Sequence, residues 1–199
     1  MNLNMRIVFH WGLLFIWLAL SILGTLQLMR YGSIPGKTGN SPLSKPQGFS
    51  SAESTRHKLY LALHPKCPCS AATLDELTHV ISQAPNGLDV VIFFYKPKDQ
   101  EDNWVDTRLW REAATLPGVQ RVIDVDGLAA EQLGAPTSGD AVLYGPTGTL
   151  LFHGGLTSSR GQRGESIGRS AILARLNGET PATTNAPVYG CQIQREISR

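Results

Sequence analysis

The sequence predicts an α/β domain carried behind an N-terminal membrane-spanning helix, and three observations predict it. From Ile7 to Met29 no Asp, Glu, Lys or Arg interrupts an apolar run. Downstream, short runs rich in β-branched and aromatic residues alternate with segments whose apolar residues recur every three or four positions, the pattern of strands alternating with helices. Two of the three cysteines, Cys67 and Cys69, sit at the first junction between such a run and such a segment. The length of 199 residues and the formal net charge of +2 fit one domain plus appendages. No basic block points to nucleic acid.

The run bracketed by Arg6 and Arg30 is long enough to cross a hydrocarbon core of about 30 Å at about 1.5 Å per residue. Residues 1–30 therefore read as a membrane anchor, with the membrane met over residues 7–29. A cleaved signal peptide is the competing reading, but no small-x-small site is evident from Ser21 to Thr25. Either one exports the rest of the chain. Arg6 precedes the span while Arg30, Lys37 and Lys45 follow it, so charge alone does not orient it. Residues 31–57 are rich in Gly, Pro and Ser without a sustained period, and read as a flexible linker.

The domain is expected over residues 58–178. Leu59–Leu63 is a buried strand, and from Ser70 the residues Leu74, Leu77 and Ile81 face inward on a helix with Asp75, Glu76, Thr78 and Ser82 on the other side. Pro85-Asn86-Gly87 makes a turn into the central strand, Leu88–Tyr95, apolar on both faces as a covered parallel strand must be. A polar loop leads to a helix over Trp104–Leu116, where Trp104 and Trp110 read as core anchors. A strand over Val119–Val125, a short helix over Leu128–Leu133 and the loop Gly134–Ser138 follow. Ala141–Tyr144 and Thr149–His153 form a hairpin around Gly145–Gly148. Arg160 and Arg163 read as solvated charges in the loop before the last helix, Ser166–Leu176, which Asn177-Gly178 stops. The tail, residues 179–199, is polar until Val188-Tyr189-Gly190-Cys191, and an apolar turn around a cysteine suggests docking onto the domain.

The chemistry centres on His64-Pro65-Lys66-Cys67-Pro68-Cys69-Ser70. With Pro68 at the first helical position, where its missing N–H costs nothing, Cys67 becomes the cap residue and Cys69 lies in the first turn. A thiol there meets unpaired N–H groups and the positive end of the helix dipole, which favour the thiolate. Lys66 adds a nearby positive charge. Two readings of the pair compete. In the redox reading Cys67 attacks a partner disulfide and Cys69 or a distant thiol resolves it, and a disulfide across one residue would be strained. In the metal reading Cys67 and Cys69, with His64 or a remote residue such as Cys191, hold a soft ion, copper above all. The one-residue gap does not match common zinc sites, which favours redox.

The element order, with cysteines at the first strand-to-helix junction, resembles the thioredoxin fold with a helix-strand insert, as in the membrane-anchored TlpA, redoxin and peroxiredoxin branches. The segments Val122–Gly127, Leu133-Gly134-Ala135-Pro136-Thr137 and Tyr144–Gly148 carry that likeness. Cys67-Pro68-Cys69-Ser70, Gly154–Gly161 and Val188-Tyr189-Gly190-Cys191 are similar to the RedB type of thioredoxin-like proteins. The resemblance implies that Pro136 is a cis-proline facing the cysteines and shaping a substrate groove. It implies a thiol–disulfide oxidoreductase of the bacterial cell envelope, held at the inner membrane with its domain in the periplasm. Protein thiols or disulfides would be its partners, and no organic cofactor is needed. Cys67 would be the nucleophile and Cys69 the resolving thiol, with Cys191 as an alternative. The motif departs from Cys-x-x-Cys, Lys66 stands where thioredoxins carry Trp, and Ala135 replaces Thr before the proline. The position three residues before each cysteine holds His64 or Lys66 rather than the Thr or Ser of a peroxidase.

Overall fold

A computed structural model describes residues 3–49, 56–84 and 88–193. The chain divides into two units, one ending at Ile34 and one beginning at Pro35. The first is a single helix, α1 (Leu3–Ser33), of which Phe9–Ser33 is long and apolar enough to span a bilayer. Membrane spans and signal sequences share that length and composition.

The second unit is a sheet of β1 (Lys58–Leu63), β2 (Asp89–Lys96), β3 (Val119–Val125), β4 (Asp140–Tyr144), β5 (Leu150–Gly155) and β6 (Asn185–Ala186). Their order is β3-β2-β1-β4-β5-β6. β1, β2 and β3 run parallel, β4 is antiparallel to β1, and β5 is antiparallel to β4. This is a thioredoxin-like arrangement, with α3 (Arg108–Ala113) and β3 as the insert and β3 at the sheet edge. The expected hairpin and the three parallel strands are all present, within a residue or two of their anticipated ends. The turn expected at Pro85-Asn86-Gly87 lies outside the described residues.

Alternation along the strands sorts two cores. Leu59, Leu61, Leu63, Ile92, Phe94, Ala141, Leu143 and Phe152 face α2 (Ser70–Gln83), α3 and α5 (Ile167–Leu176). Tyr60, Ala62, Phe93, Tyr95, Val142 and Tyr144 pack on the opposite face with Leu133 and Ala130 of the α4 region (Leu128–Gln132). The helix expected over Trp104–Leu116 is divided into a 3-10 turn, Asp102–Val105, and α3, because Thr107 caps α3 by accepting the Trp110 N–H at 3.4 Å. Glu76, expected on the outer face of α2, is 1% exposed and pairs with Arg169 of α5 at 2.6 Å. Packing between two helices turns that face inward.

The segment expected as a flexible linker departs from expectation through Phe49. The Lys37 carbonyl accepts the Thr137 hydroxyl at 2.8 Å, the Leu133 carbonyl accepts Ser41 at 2.7 Å, and the Pro42 carbonyl accepts the Tyr144 hydroxyl at 3.0 Å. The Tyr60 hydroxyl donates to the Phe49 carbonyl, and the Phe49 ring packs edge-on against Tyr60 and Phe93. The segment has no helical or strand period, yet its carbonyls serve hydroxyls that the second core buries. Residues 50–55 of the linker lie outside the described part.

Candidate functional site

Two tight turns place the cysteines. The Cys67 N–H donates to the His64 carbonyl at 3.0 Å, and the Ser70 N–H to the Cys67 carbonyl at 3.1 Å. The helix begins at Ser70 and its cap is Cys69, already in right-handed helical conformation. The expected frame is thereby corrected: Cys67 is not the cap but lies one turn outside the helix, because Pro68 and Cys69 close a turn of their own before it. Lys66 does not serve the thiol either. Its ammonium sits 4.1 Å from the centroid of the Trp104 ring, a cation–π contact.

Cys67 is 5% exposed, while Cys69 and Cys191 are half-buried, and all three are free thiols. The Cys191 N–H donates to Cys67 Sγ at 3.3 Å. Burial alone would raise the Cys67 thiol. Hydrogen bonds from the Cys191 thiol and N–H, from the Cys69 N–H and from the Ser70 hydroxyl outweigh it and hold the thiol below its ordinary value. Cys69 is raised by burial, then by the charge on Cys67 and its own bond to that sulfur, with the Arg160 guanidinium opposing. Burial, donation to Cys67 and the negative charge that Cys67 and Cys69 can carry push Cys191 up to about 12, again against Arg160. The cluster therefore favours the thiolate at Cys67 over the other two thiols, both of which are shifted the opposite way.

The tail arrives by backbone pairing. The Ser138 N–H donates to the Cys191 carbonyl at 2.8 Å and the Ile193 N–H to the Pro136 carbonyl at 2.8 Å, forming an antiparallel bridge centred on Thr137 and Gln192. Arg160 Nη1 donates to the Gly190 carbonyl at 2.5 Å. At Gly190 a side chain is excluded, since a Cβ there would lie 1.8 Å from the Ser138 carbonyl oxygen. Ser138 joins the two sides: its hydroxyl accepts the His64 N–H at 2.8 Å and lies 2.8 Å from the Ser70 hydroxyl.

The structure thus brings Cys67, Cys69 and Cys191 together and places Pro136 in the adjoining loop, where its carbonyl serves the tail. Among the described residues every peptide bond is trans, so Pro136 is not the cis-proline that the resemblance implies. His64 is held beside the site by its own contacts. Its Nδ1 accepts the Lys66 N–H at 3.2 Å, and its ring stacks on Tyr95 at 5.5 Å and meets Trp104 edge-on at 5.6 Å. Trp104, expected as a core anchor, does pack against the second core and also meets His64 and Tyr95 edge-on beside the site. Among the described residues no group of three or more His, Cys, Asp or Glu side chains is arranged to hold a metal ion. Sequence reasoning passed over Ser138, and read Arg160 as solvated. The position of Ser138 two residues after Pro136, in a loop leading into a central strand, is the signal that could have found it.

No protein-family model and no curated protein matches this chain. Among solved structures the chain is similar to a hypothetical protein from Sinorhizobium meliloti 1021, at 20% identity and a TM-score of 0.60, covering 83% of this chain and 96% of that one. It is also similar to an uncharacterized conserved protein from Geobacillus kaustophilus, at 18% identity and a TM-score of 0.60, covering 84% and 95%. A further match is an exposed lipoprotein thioredoxin from Streptococcus pneumoniae strain TIGR4, at 15% identity and a TM-score of 0.44, covering 62% and 85%. At these identities the likeness is one of fold.

Proposed function

We propose that this protein is a thiol–disulfide oxidoreductase of the bacterial cell envelope, tethered to the inner membrane by α1 with its domain in the periplasm, and that Cys67 is its nucleophile. The observation that carries the reading is the set of donors aimed at Cys67 Sγ. A thiolate is the attacking species in thiol–disulfide exchange, and Cys67 is the thiol whose pKa the surrounding donors lower while those of Cys69 and Cys191 are raised. A second thiol within reach is the other requirement, and the site supplies both Cys69 and Cys191. Protein thiols or disulfides are the substrates of such chemistry. The likeness of Cys67-Pro68-Cys69-Ser70 and Val188-Tyr189-Gly190-Cys191 to the RedB type supports the same reading.

The test is exchange with a model disulfide by the full-length chain, with metal content recorded on the same reduced sample. Wild type should release the chromophoric thiol of an aromatic disulfide, and Cys67→Ser should abolish the fast phase. Unchanged exchange in Cys67→Ser removes Cys67 from the role. Stoichiometric Cu(I) lost on that substitution, with exchange absent, would replace the redox reading with metal delivery through Cys67, Cys69 and Cys191.

A further inference from the structure

We propose that Cys191, not Cys69, is the resolving thiol for Cys67, and that the C-terminal segment Val188–Ile193 is a tether whose return to the site both breaks the mixed disulfide and evicts the partner. The inference rests on the thiol–disulfide reading above and assigns its second cysteine.

Accessibility is the first ground. With Cys67 only 5% exposed beneath the tail, a partner disulfide reaches it only when the tail lifts. The tail is held by discrete hydrogen bonds and by two buried side chains, Val188 and Ile193, rather than by a packed helix. Its Val188 carbonyl accepts the Gly36 N–H at 2.7 Å, and the remaining bonds go to Pro136, Ser138, Arg160 and Cys67 Sγ. Geometry is the second ground. Cys69 is one residue from Cys67 and its backbone is committed to the start of α2, with its carbonyl accepting the Thr73 N–H at 3.4 Å. Cys69 also donates its N–H and its thiol to Cys67 Sγ, but side chains two residues apart on a helical turn diverge, so bringing both Cβ atoms into disulfide geometry requires that turn to open. Cys191 likewise donates its N–H and its thiol to Cys67 Sγ, but it comes from a different segment, so its approach is free of that constraint.

The steps balance. With the tail lifted, the Cys67 thiolate attacks a partner disulfide R–S–S–R′: the Cys67–S–R bond forms, the partner S–S bond breaks, and R′S⁻ leaves and takes a proton from solvent. Cys191 then loses its proton to solvent and attacks Cys67 Sγ. The Cys67–Cys191 bond forms and RS⁻ leaves and is protonated. The partner has gained two electrons and the two cysteines have lost them. The charges respond in the right sense: once Cys67 is in a mixed disulfide, the negative sulfur that holds the Cys191 proton is gone, while Arg160 remains to favour the Cys191 thiolate.

The experiment uses the reduced full-length chain in detergent micelles, treated with one equivalent of oxidised glutathione, quenched with acid, alkylated and mapped by mass spectrometry. Wild type should yield a Cys67–Cys191 disulfide with Cys69 alkylated. In Cys191→Ser the glutathione adduct on Cys67 should persist about 100-fold longer, because a thiol held against the bond acts at high effective concentration. Gly190→Ala keeps all three thiols and blocks docking of the tail, and should lengthen the adduct's life in the same direction. A wild-type Cys67–Cys69 disulfide, with the adduct of Cys191→Ser resolved at the wild-type rate, overturns the assignment while leaving the redox reading intact. No adduct on Cys67 in any variant sinks both.

Discussion

The two sides of Cys67 are built by opposite means. On one side everything is local: consecutive turns from His64 to Ser70 place the sulfur, and the Cys69 N–H and Ser70 hydroxyl point at it from within three residues. On the other side the donor is Cys191, 124 positions away, delivered by backbone pairing to the loop Pro136–Ser138. The local side resembles a helix N-terminus, whose fixed N–H groups stabilise negative charge without any other part of the chain. The remote side supplies the cover and a further pair of donors, and it can leave. A reactive sulfur whose position is local and whose shielding is remote can be exposed without being displaced.

The largest effect expected from breaking this comparison falls on the anchor of the remote side. Glu76 of α2 accepts the Arg169 guanidinium and the Gly164 N–H, each at 2.6 Å, and so fixes the loop that carries Arg160 to Gly190. Arg169→Ala leaves Glu76 charged, buried and short of its cation, which costs about 3 kcal/mol in unfolding free energy. Urea denaturation checks it; a loss within about 0.5 kcal/mol, the range of an ordinary surface substitution, would show that the loop needs no such anchor.

A smaller effect isolates the remote donor itself. Cys191→Ala keeps the tail backbone and its N–H on Cys67 Sγ but removes the thiol donor. The Cys67 pKa then rises, so a smaller fraction is thiolate at neutral pH. One hydrogen bond is worth about 1 kcal/mol, or about fivefold in thiolate fraction. The rate of iodoacetamide alkylation at Cys67, read by mass spectrometry at neutral pH, should fall by about that factor. An unchanged rate would mean that the local side alone sets the acidity.

The same contrast explains what was legible in the sequence. Periodicity and turn residues are local signals, and they identified β1 to β5, the hairpin, α2 and α5 because each is decided by its own apolar pattern. The Cys67/Cys69 site was visible for the same reason. The errors lie where a remote contact overrides a local preference. Glu76 reads as solvent-facing until Arg169 arrives from another helix. Residues 36–49 read as a linker because nothing in their composition records that buried Tyr60, Tyr144 and Thr137 hydroxyls need acceptors. The docking of the tail, and its approach to the Cys67/Cys69 site, were legible from its apolar turn around a cysteine, but not its seat, which is Gly190 against Ser138. The start of α2 lies two residues later than expected, with Cys69 rather than Cys67 as its cap, because Pro68 fits both the first helical position and the turn before it.

The smallest effect tests the local side. Ser70→Ala removes the hydroxyl that donates to Cys67 Sγ and lies 2.8 Å from the Ser138 hydroxyl. The folded thiol is held below its ordinary value, so the curve of Cys67 alkylation against pH should lie to the acid side of a free cysteine's. Each donor removed should move it back toward alkaline pH. Ser70→Ala should move it less than Cys191→Ala, since the hydroxyl is the weakest of the donors to that sulfur and the Cys69 N–H remains on the same side. If Ser70→Ala instead produces the larger displacement, the hydroxyl relay from His64 through Ser138 to Ser70 governs the thiolate, and the tail's part at Cys67 reduces to covering and resolving it.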